Sequence, residues 1–203
     1  MSNTNIHFVL DRSGSMWETL NDTIGGFNAF IEAQKKDGNG ECNMSLHQFD
    51  HEYETIYTNK PISEVDLLDN KTFVPRGQTA LVDAIGRTIS NASSSTDEVK
   101  NIVVILTDGE ENASKEYKYD TISKMIQKKE TEGWEFVFLG ANQDAIKTAA
   151  CLGIKQNSAM TYNQTPQNVR ACFSGLSSAI SRARSGEDKD IKFTQTERST
   201  SQQ

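Results

Sequence analysis

The sequence predicts an α/β fold: a doubly wound, mostly parallel sheet with helices on both faces. Three observations predict it. Two short apolar runs, residues 6–10 and 102–106, each stop close before an aspartate, Asp11 and Asp108. Continuous apolar runs bounded by turn residues suit strands buried on both faces. Segments with helical periodicity follow each run, and alternation of this kind implies a parallel sheet covered on both sides.

In chain order, residues 6–10 form the first strand, interrupted only by His7. Residues 19–36 then place Leu20, Ile24, Phe27, Phe30 and Ile31 on one helical face, and Gly25-Gly26 suggests close packing on the sheet. Asp37 to Gly40 ends this helix with turn residues. Residues 43–49 and 53–58 are β-rich and separated by three residues. So short a link predicts an antiparallel hairpin with its second strand at the sheet edge. Residues 66–78 read as a connecting loop broken by Pro75 and Gly77. A helix follows, with Leu81, Ala84, Ile85, Thr88 and Ile89 on one face. Residues 91–97 are a polar linker, and 101–107 are the strongest strand pattern in the chain. A helix over 119–129, a strand over 134–139, a short helix over 142–151 and a weak strand near 158–162 come next. Pro166 opens a last helix to about Arg184, since the missing proline N–H has no intrahelical partner at that position. The reading is thus one domain over 1–184, with 185–203 a polar, frayed tail.

Composition narrows the function classes. At 203 residues the chain is long enough for one substantial core. The net charge of -7 argues against nucleic-acid binding, which needs clustered Lys and Arg. No run approaches the roughly 18 apolar residues of a membrane span, and the N-terminus lacks signal-peptide character. Cys42, Cys151 and Cys172 are odd in number and outside any metal spacing, which reads as reduced thiols in the cytoplasm. His47 and His51 lie four apart, but on a strand and turn they would not share a face, so packed or solvated histidines are expected.

The chemistry concentrates where the two apolar strands end. Asp11 is followed by Ser13 and Ser15, a carboxylate and two hydroxyls on one tight turn. Hard oxygen clusters of this type suit Mg²⁺. If the hairpin grows to one side of the first strand and residues 102–107 add on the other, strand order reverses between them. Asp11 and Asp108 then meet in the crevice where open α/β sheets place their ligands, with Thr79 arriving on a neighbouring loop. Two carboxylates in one crevice repel unless a cation or proton offsets them. The plainer alternatives are helix caps: Ser13 and Ser15 on the first helix, Thr79 on the helix at Leu81. Glu110 and Glu111 read as a solvated face, Trp17 as a packing residue and Trp134 as core.

These residues resemble a known family. Asp11-Arg-Ser13-Gly-Ser15, then Gly77-Gln-Thr79, then Thr-Asp108-Gly match the metal-ion-dependent adhesion site of von Willebrand factor type A domains in type, order and context. The resemblance covers about residues 5–184 and implies a sheet of about six strands with one antiparallel edge strand. It implies a single Mg²⁺ or Mn²⁺. Ser13, Ser15 and Thr79 would coordinate directly or nearly so, and Asp11 and Asp108 largely through water. It also implies a coordination position left for an Asp or Glu of a partner protein. Gln78 departs from the glycine many members carry before the threonine. The expectation is a non-enzymatic, metal-dependent protein-binding module of the small stand-alone type found in bacteria and their viruses, some of which serve as adaptors. The alternatives are a Mg²⁺-dependent phosphotransferase or phosphatase with Asp11 as nucleophile, or a structural subunit with an unused metal site. The phosphatase pattern would place a second aspartate where this chain has Ser13.

Overall fold

A computed structural model describes residues 3–92, 99–141 and 145–203. Six strands form one sheet in the order β3-β2-β1-β4-β5-β6. They are β1 (Asn3–Asp11), β2 (Cys42–Phe49), β3 (Tyr53–Pro61), β4 (Val99–Thr107), β5 (Glu135–Ala141) and β6 (Ala159–Tyr162). All neighbours pair in parallel except β2 and β3, so the hairpin supplies the one antiparallel edge strand. β1 and β4 are in register from Asn3↔Val99 to Leu10↔Leu106, which brings both carboxyl ends to the same rim.

Helices α1 (Leu20–Lys36), α2 (Leu81–Asn91), α3 (Tyr119–Thr131), α4 (Ala145–Leu152) and α5 (Pro166–Ser185) cover the sheet. Two apolar layers result. On one face Phe8, Phe27, Phe30 and Phe173 cluster with α1 and α5, Phe8 meeting Phe27 edge-on at 5.2 Å between ring centres. On the other, Val9, Val103, Ile105 and Phe138 pack beneath α2, α3 and α4. Strand residues alternate between these layers, which is why β4 reads as an unbroken apolar run and β1 as one broken only by His7. Gly26 does permit a close approach, but toward a helix: a side chain there would run into the Phe173 ring of α5. Gly25 has no neighbour within 4 Å of such an added carbon. The reading of Asn142–Asp144 as the start of α4, and most of the polar linker over 91–97, lie outside the described residues.

The end of the chain corrects the sequence reading. The polar pattern of residues 185–203 predicts a frayed tail, yet Ile191 is fully buried and Phe193 nearly so, both in the α1/α5 layer. A sixth helix, α6 (Gln195–Thr200), follows, opened by a reciprocal capping box between Thr194 and Glu197. Arg182 of α5 binds Glu197 at 2.9 Å and Asp188 at 3.0 Å, and Arg198 donates to the carbonyls of Gln156, Asn157 and Ala159. Two apolar side chains and a few charged tethers are too sparse for a periodicity, but they dock the segment against β6 and α5.

Candidate metal centre

Asp11 closes β1 and is wholly buried. One carboxylate oxygen accepts the Ser13 amide at 2.6 Å and the other accepts the Thr107 hydroxyl at 2.5 Å. Neutral donors alone surround it, so burial pushes its carboxyl up to about 7, with the nearby Asp108 charge adding to the rise. Asp108, just past β4, accepts from the Ser15 hydroxyl at 2.5 Å and from the Gln164 amide at 2.7 Å. Its carboxyl is likewise raised by burial.

The three hydroxyls converge. Ser13 Oγ and Ser15 Oγ are 3.1 Å apart. A carbon added to Gly109 would stand 2.8 Å from Thr79 Oγ1 and 3.6 Å from both serine oxygens. One point in space therefore has all three hydroxyls around it, and only glycine at 109 leaves that point open. Ser13, Ser15, Thr79 and Asp108 share one crevice, and Asp11 forms its floor.

The capping alternatives do not hold. Ser13 precedes a 3-10 turn, Gly14–Thr19, and its side chain makes no cap hydrogen bond. Ala80, not Thr79, is the residue before α2, and the amide of Val82 is taken by Glu111 at 2.9 Å. This corrects the reading of Glu111 as solvated: it also accepts from the Ala113 and Ser114 amides and the Ser114 hydroxyl. Thr79 is held through its backbone, its amide donating to Asn112 Oδ1 at 2.9 Å and its carbonyl accepting from the amides of Asn112 and Ala113. The threonine hydroxyl is thereby free of capping duty and faces the crevice. Gln78 is exposed, so its side chain does not crowd the site.

Trp17 also departs from expectation. It is 56 % exposed, on the turn that carries Ser13 and Ser15, rather than packed. Trp134 is buried as expected, stacked on His7 and Phe136. His47 is buried against Tyr53 and bonded to Thr55, whereas His51 is half-exposed beside Asp50, so the two do not form a pair of ligands. Sequence reasoning missed Gln164, Asn112 and Thr107 as partners. Thr107 adjoins Asp108 and could have been found from that; Gln164 arrives from the β6–α5 connection, which carries no local signal.

Around this centre lies further structure. A cleft of about 700 Å³ opens beside Gly109, lined among others by Leu81, Glu110, Tyr119 and Lys147. No described helix is long and apolar enough to cross a membrane.

No curated protein matches the chain. Among solved structures, proximal thread matrix protein 1 from the mussel byssus is similar at 16 % identity, with a TM-score of 0.65, over 88 % of this chain and 48 % of that one. A form of the same protein described as having a zinc-occupied MIDAS motif is 17 % identical, with a TM-score of 0.66, over 89 % of this chain and 46 % of that one. The chain thus spans about half the length of these mussel proteins. The vWF domain of the type V pili tip protein Mfa5 from Porphyromonas gingivalis is similar at 12 % identity and a TM-score of 0.66, over 88 % and 95 % of the two chains. The model of the von Willebrand factor type A domain matches residues 5–171, and the chain belongs to that family.

Proposed function

We infer that this chain is a metal-dependent protein-binding module. Ser13, Ser15 and Thr79 would hold a divalent cation, with Asp11 and Asp108 supporting it largely through water. The observation that carries this reading is the convergence of three hydroxyls on one open point at Gly109, between two carboxylates that burial makes costly to ionise. All the donors are hard oxygens, which fit Mg²⁺ or Mn²⁺, and the zinc-occupied motif of the mussel neighbour supports a divalent ion in this kind of site. A cation bound there offers a coordination position to an Asp or Glu of a partner protein.

The chain's own residues do the rest. Thr107 and the Ser13 amide orient Asp11, Gln164 and Ser15 orient Asp108, and Asn112 fixes the backbone of Thr79. One carboxylate bridge is far smaller than the roughly 1,200–2,000 Å² of a standard interface, so partner choice must come from the surrounding surface. Exposed Trp17 and Val74 and the cleft beside Gly109 are the candidates on this side of the molecule.

An enzymatic reading is disfavoured by Asp11 itself. A nucleophile must reach its substrate, but Asp11 is wholly buried with both oxygens engaged. Cys42, Cys151 and Cys172 are free thiols, which supports placing the module in the cytoplasm. The test is affinity capture from source lysate on the immobilised chain. Partner should be retained in Mg²⁺, released by EDTA and not retained by Thr79→Ala; retention that ignores both EDTA and the substitution refutes the bridge.

A further inference from the structure

We propose that Asp50, which holds no cation itself, is the positioning residue that sets the affinity of this metal site; the inference rests on the function proposed above. Asp50 lies in the β2–β3 turn and is wholly buried. Its Oδ2 accepts from Arg12 Nε at 3.0 Å and from Arg76 Nε at 2.8 Å. Its Oδ1 accepts the Glu52 amide at 2.7 Å, and its backbone carbonyl accepts the Ala80 amide at 2.8 Å. Arg12 sits between Asp11 and Ser13, while Arg76 and Ala80 flank Thr79. One carboxylate therefore ties together the two loops that carry the three hydroxyls.

Backbone contacts complete the clamp. The Arg76 amide donates to the Arg12 carbonyl at 2.7 Å, and the Gly14 amide donates to the Gly77 carbonyl at 3.2 Å. A side chain on Gly14 would press on that carbonyl at 3.3 Å, and one on Gly77, whose φ is +68°, would strike His51. The loops approach this closely because both positions are glycine. Asp50, His51 and Glu52 do bring ligand atoms within 4.8 Å of one another. The guanidiniums of Arg12 and Arg76 already occupy these carboxylates, so the cluster is an ion-pair clamp and not a second metal site.

Positioning and simple electrostatics predict opposite results for one variant. Arg76→Gln removes a positive charge near the cation, which by charge alone would tighten binding. If the clamp works by holding Thr79 in place, the same change weakens binding. Partners that orient metal ligands typically cost about 10–100-fold in metal affinity when removed. Isothermal titration of Mn²⁺ into the intact chain, Arg76→Gln and Asp50→Asn is expected to show weakening of that order in both variants. Amide exchange on the metal-free chains supplies the independent arm. The Gly14, Arg76 and Ala80 amides should exchange at least about tenfold faster in the variants while Val104 of β4 stays protected, as expected when a local unit opens without the core. Arg76 is half-exposed, so its variant carries the test even if Asp50→Asn fails to fold. Unchanged or tighter Mn²⁺ binding by folded Arg76→Gln, or unchanged exchange at the three amides, overturns the proposal. A wild-type chain that binds no Mn²⁺ while the three amides still respond strikes at the metal-site reading instead, leaving the clamp as a loop-ordering device without a metal to serve.

Discussion

Asp11, the last residue of β1, and Asp50, in the β2–β3 turn, are both wholly buried aspartates at one rim of the sheet, yet their surroundings are opposite. Asp11 meets a hydroxyl and an amide, both neutral, and burial pushes its carboxyl up to about 7. Burial acts on Asp50 in the same sense, but hydrogen bonds from Arg76 and the Glu52 amide and the charge of Arg12 outweigh it and hold its carboxyl below the usual range. A buried carboxylate with its counter-charges built in is a fastener. One without them is costly to ionise, and on the function proposed above a cation would offset that cost. Pairing of β1 with β2, which sets Asp11 opposite Phe49, brings the two to the same rim, where on the proposal above the fastener shapes the site.

Removing the fastener gives the largest expected effect. Asp50→Ala leaves Arg12 without its buried partner and with only the exposed Glu54 carboxylate, and breaking a buried pair costs about 3–5 kcal/mol. Urea denaturation should show a loss of that size; a loss below about 1 kcal/mol would mean that Glu54, 2.6 Å from Arg12 Nη1, suffices alone.

The pH response should carry both signs. The folded Asp11 carboxyl lies above its ordinary value of 3.8, so the folded chain keeps a proton that the unfolded chain has released. Metal-free stability should therefore fall, by up to a few kcal/mol, as pH rises from about 4 to about 7. Asp50 has the reverse shift, so its contribution is present above pH 4 and lost as pH falls through its lowered value. Thermal melts of the metal-free chain should weaken through the first window, and Asp11→Asn should lessen the fall, leaving the part that the raised Asp108 carboxyl contributes. A wild-type curve flat between pH 4 and 7 would show that Asp11 titrates normally.

A cation should reverse the cost of ionising Asp11. At a concentration 100 times its dissociation constant, Mg²⁺ is expected to stabilise the fold by about 2.7 kcal/mol. The gain should be larger at pH 8 than at pH 5, where protons compete for the site. Equal stabilisation of Asp11→Asn would place the ion elsewhere.

The smallest effects separate scaffold from surface. Thr194→Ala removes the cap of α6 and should cost about 1 kcal/mol, enough to detect if the terminal segment is docked. Trp17→Ala should leave stability within about 0.5 kcal/mol, because the ring is exposed. It should weaken partner capture if Trp17 belongs to the interface.

Part of this is legible in the chain because the signals are local and periodic. Two apolar strands ending at Asp11 and just before Asp108, with a short hairpin link, suffice to set β1 between the hairpin and β4 and to bring both carboxyl ends to one rim. What stayed hidden depends on partners distant in sequence. Glu111 reads as a surface acid until the α2 amide it caps is seen. Arg12 and Arg76 read as ordinary charges until Asp50 joins them. Ile191 and Phe193 are too few to declare a buried segment, since only the α1/α5 layer tells them where to pack. Trp17 misled because a large apolar ring is usually buried, and a binding surface is where that rule relaxes.

On the function proposed above, Ser13, Ser15 and Thr79 close around one divalent ion. Titrating Mn²⁺ into the wild type, Ser13→Ala and Thr79→Ala by calorimetry tests it most directly, with metal-free melts confirming that each variant folds. One site is expected in the wild type, with at least about tenfold weaker binding in each folded variant. Equal affinity in all three, or no binding to the wild type, would contradict it.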